Sequence, residues 1–226
     1  MTTLFVTGID TDIGKTVACG VLARTMLASG LSIYTQKLVE TGCIDGESND
    51  LLMHEKIVGQ PFNFSTPELH CPYRFTTPAS PHLAAERDGK VVDAAFLSQQ
   101  MSILADECDH LLVEGAGGLC VPLSRDKMIV DFIVEHKLPL VLVTSPRLGS
   151  INHTLLSLSI CLANGIDVRA IIYNHYPISE DWLVNDTKAV LQEKLNRSYP
   201  GVVWFDLKNI EQNFIVNNLQ WAQLLK

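Results

Sequence analysis

An apolar run, Leu4 to Thr7, passes directly into Gly8-Ile9-Asp10-Thr11-Asp12-Ile13-Gly14-Lys15-Thr16, after which Val17, Val21, Leu22 and Met26 return at helical spacing. Strand, glycine-bounded loop and helix in that order commit the chain to a crossover fold, because a strand feeding a long helix is completed by a parallel neighbour and not by a hairpin. The loop also implies chemistry. A helix opening at Gly-Lys-Thr turns free backbone amides and the positive end of its dipole toward an anion. Lys15 then reaches the β and γ oxygens of a nucleotide, and the Thr16 hydroxyl is placed for Mg²⁺. Five residues separate Gly8 from Gly14, where the usual phosphate loop has four. The final glycine and lysine matter more to a phosphate than a fixed length, so the reading survives the extra residue.

The same alternation continues along the chain. The first helix is expected over Lys15 to Ser29 with Gly30 as its stop, and a second strand over Leu31 to Val39. A short helix starts near Asp50, and the stretch from Phe62 to Pro81, rich in Pro, Thr, Ser and aromatic residues, is expected to pass over the sheet. Helices over Val92 to Cys108, Met128 to His136 and Ser150 to Asn164 alternate with strands at His110 to Val113, Leu138 to Thr144 and Val168 to Tyr173. A further helix, a strand at Val202 to Phe205 and a closing helical segment complete the pattern. No linker or repeat interrupts it, so residues 1–226 are expected to form a single α/β domain: a doubly wound, mostly parallel sheet with helices on both faces, of the P-loop NTPase type.

Charge and apolar patterning exclude several classes. Seventeen basic residues against 25 acidic ones give a net charge of −8, with no basic cluster to hold a nucleic-acid backbone. Apolar runs stop well short of the roughly 18 residues that span a bilayer. Met1 to Val6 lead straight into the first strand without a leader-like stretch, so a cytoplasmic location is expected. Six cysteines, at 19, 43, 71, 108, 120 and 161, form no close pair and signal neither a zinc site nor a redox couple.

Ligands of such sheets bind beyond the carboxyl ends of the strands. Gly8 to Thr16, Lys37, Glu114, Ser145 to Ser150 and Asn174 all fall at such ends. Glu114 closes an apolar strand and is followed by Gly115-Ala116-Gly117-Gly118, which suits a metal ligand facing the loop beside a backbone that phosphate can approach. Cys120 at the sixth position rules out a dinucleotide fingerprint. Taken alone, Lys37 is more often a solvated strand-end lysine, and Asp50 a common helix N-cap.

The segments Gly8 to Thr16, Lys37 with Thr41-Gly42, Ser48-Asn49-Asp50, Ser80-Pro81-His82, Val113 to Gly118, Leu148 to His153 and Asn174 occur in an order that resembles dethiobiotin synthetase, from about residue 3 to 175. The longer loop is typical of that family. The resemblance implies an ATP-dependent enzyme that joins CO₂ to 7,8-diaminononanoate and closes a cyclic urea, through a carbamate and a carbamic-phosphoric anhydride. It implies Lys37, Lys15 and Thr11 as catalytic groups, and Thr16, Asp50 and Glu114 around Mg²⁺. Nucleotide contacts are implied for Asp12, Ile13, Gly14, Lys15, Thr16, Val17, Asp50, Glu114, Gly115, Ala116, Gly117 and Asn174. Substrate contacts are implied for Lys37, Thr41, Gly149, Ser150 and Asn152. The active site is expected at the interface of a homodimer, with the helix at Gly149 receiving a substrate carboxylate.

Four departures from the family pattern stand out. Asp12 occupies a position that is commonly Glu, Leu38 one that is frequently Pro, and Glu40 places a carboxylate beside the substrate loop. Trp204-Phe205-Asp206 falls where a proline-containing adenine loop is expected. The alternative is a partitioning or septum-placing switch ATPase, which carries a signature lysine five residues before the loop lysine. That position here is Asp10, and Asn217 to Lys226 hold no basic amphipathic pattern.

Overall fold

Six parallel strands form the main sheet of this computed structural model, which describes residues 2–59, 66–176, 179–208 and 224. In chain order the elements are β1 (Thr2–Gly8), α1 (Lys15–Ala28), β2 (Ile33–Lys37), β3 (Glu40–Thr41), α2 (Asn49–Val58), α3 (Pro67–His70), β4 (Arg74–Phe75) and α4 (Pro81–Arg87). There follow α5 (Ala94–Asp106), β5 (His110–Glu114), α6 (Ile129–Glu135), β6 (Leu140–Thr144), α7 (Ser150–Ala163), β7 (Val168–Asn174), α8 (Asp181–Ser198) and β8 (Val203–Leu207). The strand order is β2-β5-β1-β6-β7-β8. β1 lies between β5 and β6, in register with Val6 opposite Glu114 on one side and Gly8 opposite Val143 on the other. From β1 the chain crosses to the edge strand β2, returns to β5, and then continues on the other side of β1 through β6, β7 and β8, so the loop after β1 opens at the switch point where such sheets bind ligands.

Both faces are covered. Residues 111–114 of β5 and all five of β6 are buried, as expected for strands with helices on either side. One core holds α1 and Leu4, Val6, Leu112 and Val141 against Ile171 and Phe205; the other holds Phe5, Leu111, Val113 and Leu140 against α5 and α6. Alternate residues of β1 therefore anchor the two layers.

Several boundaries differ from the sequence expectation. The second strand ends at Lys37, because Leu38 turns away and Glu40–Thr41 pair with Arg74–Phe75 in a separate two-stranded sheet. The described part of the Phe62 to Pro81 stretch contains α3 and β4, while 62–65 and the closing helical segment beyond β8 lie outside the described residues. The strand expected over Val202 to Phe205 forms as β8 and runs on to Leu207, so Trp204-Phe205-Asp206, which stands where the family pattern has an adenine loop, is paired with Ile171, Ile172 and Tyr173. Ser80 stands at the N-cap position of α4 and Pro81 at its buried first turn, which accounts for that motif by helix initiation. Among the described residues, no helix is long and apolar enough to cross a membrane.

Candidate active site

α1 and α7 start alike. Each is entered from a left-handed glycine, Gly14 (φ 92°) and Gly149 (φ 93°), with no side chain capping the first turn and no acid within it. The Ser150 amide donates to the Arg147 carbonyl, but no side chain competes for the first-turn amides of either helix. At Gly14 the geometry demands glycine twice over. A left-handed φ strains other residues, and an added Cβ would stand 2.2 Å from Nδ2 of Asn174. That Nδ2 donates to the Ile13 carbonyl at 3.0 Å, and the Asn174 carbonyl oxygen accepts from the Tyr176 amide at 3.2 Å. Asn174 therefore braces the loop from the end of β7.

The loop itself divides by burial. Ile13 and Lys15 are buried, while Thr11 and Asp12 are exposed, Asp12 in a left-handed conformation. The extra residue thus projects two polar side chains away from the loop's base. Nζ of Lys15 donates to the Asp10 carbonyl at 2.8 Å, and the Asp10 carboxylate pairs with Arg147, tying the loop to the segment that enters α7. Burial, and then the neighbouring Lys37 ammonium, draw the Lys15 pKa down to about 8.

Beside the loop, four side chains from four elements converge. Nζ of Lys37 lies 2.5 Å from Asp50 and 2.8 Å from Oε1 of Glu114, and donates also to the Gly115 carbonyl at 3.2 Å. Oγ1 of Thr16 lies 2.9 Å from Oδ1 of Asp50 and 2.9 Å from the same Oε1 of Glu114. Burial alone would favour neutral groups here. It opposes the charge on Lys37, but Glu114 and Asp50 outweigh it and hold the lysine pKa above its ordinary value. Likewise burial would raise the Glu114 pKa, but Lys37 and the hydrogen bond from His54 hold it well below the carboxylate range.

The donor set fits a hard cation. Thr16, Asp50 and Glu114 are oxygen donors from three directions. One hydroxyl proton on Thr16 can satisfy only one of the two carboxylates it meets, and a single ammonium leaves two carboxylates with one negative charge uncompensated. Both facts favour a further positive charge among these oxygens. Cys19, His54 and Glu114 also place ligand atoms within 4.8 Å of one another. Burial keeps the Cys19 thiol protonated above its usual range.

Helix α2 is the element that sequence reasoning understated. Its N-cap is Ser48, whose hydroxyl accepts from the Leu51 amide. Asp50 sits in the first turn and is not the cap. Glu40, the carboxylate beside the expected substrate loop, turns to α2: it accepts from the Asn49 amide at 2.9 Å and from the Ser48 hydroxyl. Its carboxylate there also favours the positive end of the helix. His54, unnoticed in the sequence, is fully buried and bonds Glu114. Only its spacing of four from Asp50 could have marked it.

The remaining expected residues lie around this centre. Val17 and Ala116 are half-buried beside the loop, and Gly117 is left-handed next to Thr11. Thr41 is half-buried on β3. At α7, Gly149 and Asn152 are exposed, but Ser150 is buried: its amide donates to the Arg147 carbonyl and its hydroxyl meets Ser145.

A parallel sheet with a Gly-Lys-Thr loop after its central strand, and two acids and a lysine facing that loop, defines an α/β protein of the P-loop nucleotide-binding class. The chain matches the AAA domain family over residues 2–204. It is 43% identical over 201 residues to the ATP-dependent dethiobiotin synthetase BioD 2 of Haemophilus ducreyi, covering 88% of this chain and 94% of that one. Against the ATP-dependent dethiobiotin synthetase BioD of Chlorobaculum tepidum it is 43% identical, covering 86% and 81%. The chain belongs to the dethiobiotin synthetase family, and is an ATP-dependent enzyme. Solved structures similar in fold include a plasmid partition protein of Borrelia burgdorferi (TM-score 0.57, 10% identity, 99% and 96% covered). A ParA family ATPase of Chlorobium tepidum is also similar (TM-score 0.51, 13% identity, 99% and 89% covered). At such identity the likeness is one of fold.

Proposed function

We propose that the chain joins CO₂ to 7,8-diaminononanoate at the expense of ATP, giving dethiobiotin, ADP and phosphate, in a homodimer with its sites at the subunit interface. The supporting observation is the convergence of Thr16, Lys37, Asp50 and Glu114 on the amino terminus of α1. One amine of the substrate adds to CO₂, losing a proton, and the resulting carbamate oxygen attacks the γ-phosphorus of ATP as ADP departs. The second amine then attacks the carbonyl of the carbamic-phosphoric anhydride, the ring closes, and phosphate leaves.

Much of the catalysis is positioning and charge neutralisation. The α1 amides and Lys15 hold the phosphates, and the arriving negative charge restores the Lys15 proton. Lys37 has all three ammonium protons engaged in this structure, so it meets the carbamate by exchanging one of those bonds. Thr16, Asp50 and Glu114 would hold Mg²⁺, which supplies Lewis-acid stabilisation of phosphoryl oxygens when bound. Thr11 and Asp12 reach the diamine from the exposed bend of the loop. The amides at the start of α7 receive the carboxylate at the other end of the substrate, with Ile151 and Asn152 better placed than Ser150, whose amide is already taken.

The deciding assay combines the purified protein with ATP, Mg²⁺, bicarbonate and the diamine. Phosphate is expected to appear one for one with dethiobiotin and to stop when the diamine is withheld. Phosphate release indifferent to the diamine would defeat this reading and favour a switch ATPase.

A further inference from the structure

His54 is fully buried on the same face of α2 as Asp50, one turn later. Gly20 of α1 is what admits it so close. A Cβ at residue 20 would meet Ile57 at 3.0 Å and the His54 backbone at 3.4 Å. Both ring nitrogens are engaged: Nε2 lies 2.9 Å from Oε2 of Glu114 and Nδ1 3.1 Å from Oγ1 of Thr35 on β2. A carboxylate only accepts, so Nε2 carries the proton, and we assign Nδ1 as the acceptor of the Thr35 hydroxyl.

The two oxygens of Glu114 are thereby given different tasks. Oε1 takes Thr16 and Lys37, on the side of the phosphate loop, while Oε2 takes His54 on the far side. Without the imidazole, Oε2 would be a buried charged acceptor with no donor. The carboxylate would gain by rotating both oxygens onto Lys37, which turns it away from Thr16. We propose that His54, oriented by Thr35, is a positioning residue that fixes the rotation of Glu114 and so presents Oε1 toward the phosphate loop and its cation. Outer partners of ligating carboxylates commonly act in this way.

The proposal rests on the reading of Glu114 as a cation ligand, but not on the identity of the amine substrate. It is tested by Mn²⁺ titration of the enzyme with a non-hydrolysable ATP analogue, followed by electron paramagnetic resonance, alongside analogue binding in chelator. His54→Leu is expected to weaken Mn²⁺ binding by roughly ten- to a hundredfold, with metal-free analogue binding within about twofold of wild type. His54→Gln returns a terminal amide donor at similar reach and is expected to recover most of the loss. Thr35→Val, which frees Nδ1, is expected to weaken Mn²⁺ by roughly threefold, a fraction of the full outer-partner effect. Wild-type Mn²⁺ affinity in His54→Leu would overturn the proposal, as would equal losses in His54→Leu and His54→Gln, which would mean packing alone. If His54→Leu does not fold, wild-type affinity in Thr35→Val overturns it and weakened affinity there supports it. A wild-type enzyme that binds Mn²⁺ as expected but ignores the diamine would defeat the substrate reading and leave this one standing.

Discussion

The two ends of the site are built in opposite ways. Beside β2 and β5, Lys37 and Glu114 are buried, Asp50 and Thr16 lie within 2.9 Å of them, and α2 is capped and buttressed from outside by Ser48 and Glu40. Beside β6, the start of α7 has no side-chain cap, Leu148 is 91% exposed, and Asp10–Arg147 is the ion pair joining it to the loop. One end assembles its charged groups within a single chain and leaves one negative charge for a cation. The other leaves amides and an apolar side chain to be met by something else, which on our reading is substrate carboxylate and a second subunit.

The largest effect is expected at the buried end. Lys37→Ala should lower kcat by roughly a hundred- to a thousandfold while ATP affinity stays within a few fold. Removing one partner of a buried ion cluster costs about 3–5 kcal/mol, so calorimetry should show a clear fall in Tm. Retained turnover would mean that the buried end is only a structural clamp.

At the open end, Leu148→Asp should convert dimer to monomer in sedimentation, and raise the diamine KM by about tenfold, comparable to losing an interaction of about 1.4 kcal/mol. The ATP KM should not move. An unchanged sedimentation coefficient, or a loss shared equally by both substrates, would erase the contrast between the ends.

A subtler effect separates the two lysines. Lys37 is held charged by its carboxylates, but Lys15 is drawn down to about 8 by burial and by Lys37. Near pH 8 about half of the ligand-free molecules therefore lack the Lys15 proton, and phosphate restores it, so ATP binding should take up roughly half a proton. At pH 6 the uptake should vanish. Calorimetric titration in buffers of different ionisation enthalpy measures it, and buffer-independent heats at pH 8 would sink the assignment. The same shift makes ligand-free stability rise between pH 8 and the unfolded lysine pKa near 10.5, where the unfolded chain holds the extra proton.

The sequence by itself determined the parallel sheet and the elements that bear the chemistry. Apolar runs at Leu4, His110, Leu138 and Val168 have only one stable use when helices alternate with them, and that use puts Gly8 to Thr16, Lys37, Glu114 and Asn174 at one edge. Those conclusions rest on local periodicity, which is written in neighbouring residues. What the tertiary structure decided is which of those groups touch. In the sequence Glu40 is only a carboxylate beside the substrate loop; it anchors α2 because the bend at Leu38 carries it into a second sheet beside Ser48. Trp204-Phe205-Asp206 stands where the family pattern has an adenine loop, but the strand that local periodicity placed at Val202 to Phe205 forms there, paired along Ile171 to Tyr173. His54 carried only its spacing of four from Asp50 as a signal, since its meaning depends on Glu114, sixty residues away, and on Gly20 letting two helices meet. The opening loop shows both sides: its glycines and lysine announce a phosphate from sequence alone, but only the fold sets Asn174 behind it and two carboxylates in front.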